Sequence, residues 1–293
     1  MKQQRPLTIE GGRLVTPAGV QDGALRLDDG CIDGVGTAAQ DGDEVIDAGG
    51  ALVAPGLVDL GVFAIDKPAF HFGGITRAAL MPDQSPRLDL PSRVSYIAKS
   101  GKPDFWVHPL AAATRDLAGA EIAELGLMRE AGARGVATGR QWIANSGTML
   151  RLLQYAAMLD LVVVAHPEDA ALAGNAVATA GEVATRRGLP SAPAEAESIA
   201  LTRDIALAEM AGARIHFRQV TTRAGLDIVR RAKARGVSVT CGVTPAHFML
   251  SDLATVDFRT FARLSPPLRS EDDRQAVREA IGAGTVDVIA SGH

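Results

Sequence analysis

Two different hydrophobic patterns divide the chain near residue 55. The first fifty-odd residues contain short strand-like runs, such as LTIEGGRLVTP and GALRLDDGCIDGVG, which Gly, Asp and Pro interrupt. This spacing is typical of β-hairpins and predicts a small antiparallel β domain over residues 1–55. From about residue 56 onward, apolar β-branched runs alternate with helical stretches rich in Ala, Leu and Arg. We therefore assign residues 56–293 to a second, larger α/β domain.

The larger domain contains eight candidate strands. Near-continuous apolar strands separated by helices indicate parallel pairing with both faces of the sheet covered. Eight of them predict a (β/α)₈ TIM-type barrel, and no Gly-rich phosphate loop opens a helix to favour a doubly wound sheet. The strand candidates are residues 57–63, 75–81, 104–110, 134–138, 161–166, 214–220, 237–243 and 286–290.

Two features interrupt this regular alternation. The connection between the first two strands, residues 64–74, contains Pro68 and a pair of glycines, so a full helix is not expected there. The chain also stops at the tip of the eighth strand, in DVIASGH, with no closing helix. We expect a barrel that is truncated at strand eight and a chain that is a fragment of a longer protein.

Composition excludes several classes of partner. No apolar run is long enough to span a bilayer, and the N-terminus lacks a signal-peptide core, so we expect a cytoplasmic protein without a membrane partner. The net charge is −4 and aromatic residues make up only 4% of the chain, which argues against nucleic-acid binding. The basic run RRAKAR at 230–235 is interpreted as a solvated helix face.

In a TIM-type barrel the chemistry lies at the carboxyl ends of the strands. The motifs at and around these ends are VAPGLVDL (53–60), GGITRAALMPDQSP (73–86), AHPED (165–169), APAEAES (192–198), RQVTT (218–222), TCGVTPAH (240–247) and SPPLRSEDDR (265–274). Together they resemble the motifs of the dihydroorotase family, within the metal-dependent amidohydrolase superfamily. The resemblance covers almost the whole chain.

This resemblance implies a barrel of the amidohydrolase kind, with residues 1–55 as the N-terminal part of a composite β-sandwich. It also implies the reversible closure of carbamoyl-aspartate to dihydroorotate, with a zinc site and an aspartate general base. Zinc in such a site activates water near neutral pH and needs about three protein ligands.

The chain departs from the family pattern at nearly every site position. Only His166 remains among the implied metal ligands, and one imidazole is insufficient for a catalytic zinc. Three further positions belong to the implied substrate pocket: Asp83, His247 and Ser265. The degenerate positions, which offer no suitable ligand or have lost the substrate-binding arginine, are Gly61, Phe63, Ile65, Thr138, Gly139, Gln219 and Gly292.

The first hypothesis is therefore an inactive dihydroorotase-like protein that needs no cofactor. It resembles the inactive family members that bind aspartate carbamoyltransferase, so this enzyme is the expected partner, in an oligomeric assembly. A second hypothesis is an active amidohydrolase whose site has been rearranged around His166, Asp83, Glu168 and His247. A third is a small-molecule sensor, although the loss of arginine at Ile65 argues against an unchanged dihydroorotate pocket.

Several polar residues also have plain structural interpretations. Glu168 and Asp169 look like acids at a helix start, where the amide dipoles favour negative charge. His108 and His216 are expected to be structural, and Cys241 to be a small buried apolar residue. His71 lies beside two phenylalanines and belongs either to a plug over the barrel mouth or to a surface loop.

Overall fold

The N-terminal unit is a five-stranded sheet. The structure, a computed structural model, describes residues 5–293, and the chain divides between Leu57 and Val58 into two compact units. The strands of the first unit are β1 (Leu7–Thr16), β2 (Gly19–Asp28), β3 (Cys31–Val35), β4 (Glu44–Asp47) and β5 (Leu52–Val53).

This first sheet is mixed, whereas the sequence predicted an antiparallel one. The pairs β1–β2 and β2–β3 are antiparallel hairpins, as expected. Both β4 and β5, however, run parallel to β1, pairing with successive stretches of the same strand. The connection at residues 36–43 is long enough to carry the chain to the free edge of β1 before it pairs, which a tight turn would not allow.

The second unit is built on a parallel eight-stranded sheet. The order of the strands in this sheet is their order along the chain, so each strand pairs with the next barrel strand in the sequence. The barrel strands are β6 (Leu57–Val62), β7 (Ile75–Leu80), β8 (Trp106–Ala112), β9 (Gly135–Ala137), β10 (Val163–Ala165), β13 (Ile215–Phe217), β14 (Val239–Val243) and β15 (Val288–Ile289). Strands β11 (Ala178–Thr179) and β12 (Ser191–Ala192) form a separate small sheet within the chain segment that connects β10 to β13.

The first and last barrel strands approach closely at their carboxyl ends. The Phe63 amide donates to the His293 carbonyl at 2.5 Å. The amide of Ser291 lies 3.3 and 3.2 Å from the two carboxylate oxygens of Asp59. These bonds bring the eight strands to a nearly closed barrel, which confirms the predicted fold class.

Helices connect the strands and cover the barrel. Val62, Leu152 and Val229 belong to one large buried cluster between strands and helices. Full burial of each aliphatic side chain contributes about 1.5–3 kcal/mol, so this layer dominates the stability of the unit. The helices are α1 (Lys67–Phe72), α2 (Pro91–Ser100), α3 (Leu125–Glu130), α4 (Ser146–Met158), α5 (Ala170–Ala173), α6 (Glu182–Arg187), α7 (Glu195–Ala211), α8 (Arg223–Ala234), α9 (Pro245–Met249) and α10 (Glu271–Gly282), with 3₁₀ turns at Arg115–Leu117, Asp252–Thr255 and Thr260–Ala262.

The first connection contains a short helix where the sequence predicted no full one. Helix α1 begins after Asp66, whose carboxylate accepts from the Ala69 amide at 3.0 Å. Pro68 is tolerated because it lies in the first turn, where its missing N–H has no helical partner to lose. The helix then ends at Gly73 after six residues. Within residues 5–293, no helix is both long and apolar enough to cross a membrane.

Candidate active site

The end of strand β6 supplies a glycine and a phenyl ring to the barrel mouth. Gly61 is buried, and a Cβ added there would lie 3.1 Å from the Cβ of Ala290 on the last strand. The Phe63 ring packs on a small apolar cluster inside the barrel that includes Met81 and Val164. Neither residue has a side-chain atom able to bind a metal.

Two guanidinium groups lie against the Phe63 ring. The Cζ atom of Arg140 is 3.9 Å from the ring centroid, and that of Arg218 is 5.3 Å away. Arg218 is buried, and its Nη1 donates to Oε1 of Gln219 at 2.7 Å. Burial lowers the pKa of Arg218 to about 10, which leaves the group charged at neutral pH. The Gln219 oxygen is therefore engaged by a cation.

His166 and Glu168 form a buried pair at the end of β10. The Nε2 atom of His166 lies 3.3 Å from Oε2 of Glu168, and the same oxygen accepts from Ser265 Oγ at 3.3 Å. Burial, followed by the charge of Arg218, lowers the pKa of His166 to about 4, so the ring is neutral at pH 7. Burial alone would raise the pKa of Glu168, but its hydrogen bond with His166 helps to lower it below its usual value.

Glu168 is thus directed into the mouth, and its interpretation as a helix-start acid is wrong. Its neighbour Asp169 does cap helix α5, because its Oδ1 accepts from the amides of Ala171 and Leu172 at 2.9 and 3.3 Å. Successive side chains leave the backbone in different directions, so the second acid occupies the cap and the first is free to face the site.

Strands β7 and β9 contribute Asp83, Thr138 and Gly139. The Oδ1 atom of Asp83 accepts from the Arg140 amide at 3.0 Å. Gly139 has φ +70°, and a Cβ there would lie 2.7 Å from Oδ2 of Asp83, so this glycine permits the close approach. The hydroxyl of Thr138 accepts from the His166 amide at 3.1 Å and aligns the two strand ends.

A second buried carboxylate holds the loop that follows β13. Glu197, near the start of α7, accepts from the amide and hydroxyl groups of both Thr221 and Thr222 at 2.5–3.1 Å. Arg269 Nη2 is 3.5 Å from Glu197 Oε2 and 3.9 Å from Glu168 Oε1. This network fixes the segment that carries Arg218 and Gln219.

The mouth contains a pocket of about 240 Å³. Of the positions singled out by sequence, it brings together Phe63, Gln219, His247, Ser265 and Gly292. Ile65 does not line it and packs instead against the main apolar core. The residues that line the mouth pocket are Phe63, Arg140, Arg218, Gln219, Thr244, Pro245, Ala246, His247, Leu264, Ser265, Ser291 and Gly292.

His247 is fixed by two hydrogen bonds. Its Nδ1 lies 2.8 Å from Thr244 Oγ1, and its Nε2 lies 3.0 Å from the Pro266 carbonyl. Burial lowers the pKa of His247 to about 4. Because both ring nitrogens are engaged, His247 shapes the pocket wall and offers no free lone pair to a ligand.

Among the remaining histidines, His293 reaches the mouth, where its carbonyl accepts from the Phe63 amide, whereas none of the other three lines the mouth pocket. His108 and His216 line a separate cavity of about 510 Å³ nearer the amino ends of the strands, and His216 Nδ1 is 2.8 Å from Thr240 Oγ1. His71 is exposed in the last turn of α1, in ring contact with an exposed Phe72, and it does not line the mouth pocket.

Two other interpretations from the sequence are confirmed. Cys241 is fully buried, and burial raises the pKa of its thiol to about 12. The basic run at 230–235 spans the end of α8 and forms ion pairs with acidic neighbours: Arg230 with Asp227, Lys233 with Asp287, and Arg235 with Glu209.

These donors do not fit a catalytic zinc. His166 retains one unpartnered nitrogen, Nδ1, whereas Gly61 and Phe63 provide no donor and Gln219 is bonded to a guanidinium. Among residues 5–293, no group of three or more His, Cys, Asp or Glu side chains is placed to hold a metal ion. The positive charge of Arg218 beside His166 further opposes a cation there.

Sequence reasoning missed the residues that now dominate the electrostatics of the mouth. Arg140 and Arg218 follow strands β9 and β13 directly, so their positions at two strand ends were the available signal. The Glu197–Arg269 pair had no such signal, because its members come from distant motifs that only the fold brings together.

Comparison with known proteins agrees with this architecture. The barrel closely resembles those of the hydantoinases: the L-hydantoinase (dihydropyrimidinase) from Arthrobacter aurescens superposes with a TM-score of 0.85 at 23% identity, over 99% of this chain and 69% of that one. A D-hydantoinase from Thermus sp. gives a TM-score of 0.79 at 23% identity, covering 98% and 69% of the two chains. At such identities the likeness establishes the fold alone, a TIM-type barrel.

Sequence similarity defines the family more narrowly. A family profile described as "Dihydro-orotase-like" matches residues 50–225. The dihydroorotase from Pelotomaculum thermopropionicum is 41% identical over 98% of this chain and 71% of that protein. The dihydroorotase from Geobacter sp. (strain M21) is 39% identical, covering 98% and 72%. The chain belongs to the dihydroorotase-like family.

Proposed function

We propose that this chain is a non-catalytic dihydroorotase-like protein of de novo pyrimidine biosynthesis, and that it acts in the cytoplasm as an oligomeric partner of aspartate carbamoyltransferase. The observation that supports the loss of catalysis is the state of the barrel mouth. A phenyl ring and a guanidinium occupy the region where the family resemblance implies metal ligands. The choice of partner rests on the resemblance to inactive family members alone.

Loss of zinc removes the chemistry that the family uses. Without a bound cation, water at the site keeps a pKa far above neutral. The neutral His166 is bonded to Glu168, and both nitrogens of His247 are engaged. The retained barrel would then be maintained for its surface and its stability.

The first test measures metal and activity together. The purified chain should contain no stoichiometric zinc and should not cyclise carbamoyl-aspartate, since its mouth lacks a ligand set. The dihydroorotase from Pelotomaculum thermopropionicum, prepared and assayed in the same way, is the matched positive control. Stoichiometric zinc together with turnover by this chain would contradict the proposal.

The second test addresses the partner. Co-expression with aspartate carbamoyltransferase from the same genome should give one complex that elutes together, with a mass equal to the sum of whole subunits. Two separately eluting proteins at micromolar concentrations would exclude the scaffold role, and they would leave the metal and activity results unaffected.

A rearranged amidohydrolase is the second candidate. It is favoured by three buried acceptor atoms without a hydrogen-bond partner: Asp83 Oδ2, His166 Nδ1 and Glu168 Oε1. Buried polar atoms of this kind often mark a functional site. If hydrolysis of a cyclic amide is detected, Glu168→Gln should abolish it while the exposed control Glu195→Gln should not. Activity that survives Glu168→Gln would refute this candidate.

A further inference from the structure

Two arginines at the barrel mouth carry positive charge without a carboxylate partner. Arg218 is buried, and its Nε has no hydrogen-bond partner in the described part of the chain. The Arg140 guanidinium contacts the Phe63 ring, and within residues 5–293 it forms no ion pair. A buried cation without a counter-charge is costly, so this arrangement indicates a place that an anion would complete.

The pocket that these arginines line is small, and both polar and apolar side chains line it. Its volume of about 240 Å³ lies below the roughly 300–1,000 Å³ of pockets for drug-sized ligands. Besides the two guanidiniums, Thr244 and Gln219 contribute polar side chains to the lining. An inorganic ion or a metabolite of a few atoms matches this space better than a nucleotide does.

The nearby acids do not neutralise the two arginines. Asp83 and Glu168 act on Arg218 through space and raise its pKa, but neither lies within ion-pair distance of it. Asp83 is bonded to the Arg140 amide, and Glu168 to His166 and Ser265. Among the described residues, no acceptor is bonded to Arg218 Nε or to the Arg140 guanidinium, whereas Arg218 Nη1 is bonded to Gln219. Guanidinium geometry suits two oxygens of one carboxylate or phosphate group.

We propose that this pocket binds a small oxyanion, a carboxylate or phosphate group, held by the guanidiniums of Arg140 and Arg218 beside the Phe63 ring. Neither arginine is among the positions that the resemblance assigns to the zinc site. The inference goes beyond the proposed function and does not depend on aspartate carbamoyltransferase, because a degenerate barrel could hold an anion with or without a partner.

The test titrates the full chain with inorganic phosphate and with malonate, at constant ionic strength set by chloride, using calorimetry. At least one probe should bind saturably with one site per chain, and the stronger one identifies the preferred oxyanion. Arg218→Gln and Arg140→Gln should each weaken binding at least tenfold, because each removes a charged hydrogen-bond donor pair. The exposed Arg231→Gln on α8 is the matched control and should bind like the wild type.

Thermal unfolding separates a ligand site from a structural role. Without the anion, Arg218→Gln should unfold at the same temperature as the wild type or higher, because an unpaired buried charge has been removed. Phosphate or malonate should raise the midpoint temperature of unfolding of the wild type but not that of Arg218→Gln. The proposal is overturned if neither probe binds saturably, if Arg218→Gln binds like the wild type, or if chloride alone produces the same midpoint shift.

Discussion

The buried Glu197 offers the sharpest test of how the site is supported. Its carboxylate accepts from two amides and two hydroxyls of Thr221 and Thr222, and it faces Arg269 at 3.5 Å. Glu197→Gln preserves the shape of the side chain, but it removes the negative charge and turns one acceptor into a donor that faces other donors. Removing one partner of a buried pair costs about 3–5 kcal/mol.

For a domain of this size, each kcal/mol shifts the midpoint by about 2–4 °C, so Glu197→Gln should lower it by roughly 6–20 °C. The assay is thermal unfolding followed by circular dichroism. Glu195→Gln, in the exposed first turn of the same helix, is the matched control and should change the midpoint little. A loss below 2 °C in Glu197→Gln would show that the network does not hold the β13 loop as described.

Three further predictions concern the mouth and the core. The folded-state pKa of His166, His216 and His247 is lowered by burial to about 4, so the unfolded chain binds more protons below pH 6.5. The free energy of unfolding should therefore fall as the pH drops from about 6.5 to 4, by about 1.4 kcal/mol per pH unit for each group. Equal midpoints of urea unfolding at pH 7 and pH 5 would contradict this. Gly139→Ala should lower the free energy of unfolding by at least about 1 kcal/mol more than Gly188→Ala does. Both glycines have positive φ, but only at Gly139 would the added Cβ meet Asp83. Equal losses measured by urea unfolding would exclude that contact. A thiol reagent should label the exposed Cys31 and spare the buried Cys241 in the native chain, and rapid labelling of both would refute the burial.

The barrel could be predicted from sequence because its signal is local. Each strand is a short apolar run, and the alternation with helices fixes parallel order without knowledge of contacts. The strand ends could be located for the same reason, and two of the positions predicted there, Phe63 and Gln219, line the mouth pocket. Strands β9 and β10 are shorter than predicted, and beyond the end of β10 the His166 amide bonds the Thr138 hydroxyl instead of a strand carbonyl.

What could not be predicted depends on direction and distance. From the sequence, Glu168 and Asp169 are equally suited to cap the helix, and only the backbone geometry shows that Asp169 is the N-cap. The parallel pairing of β4 and β5 with β1 depends on a connection that crosses to the other edge. Arg140 and Arg218 follow two different strands, yet both guanidiniums contact the Phe63 ring. A local sequence pattern does not predict a contact of this kind.

We expect that the barrel mouth does not bind zinc tightly. The most direct measurement is a calorimetric titration of zinc into chelator-treated protein at pH 7.5, with His166→Ala in parallel. We predict no binding tighter than about 10 μM in either protein, because Phe63 has no donor atom and the oxygen of Gln219 is bonded to the Arg218 guanidinium. One tightly bound zinc per chain that disappears in His166→Ala would contradict the account.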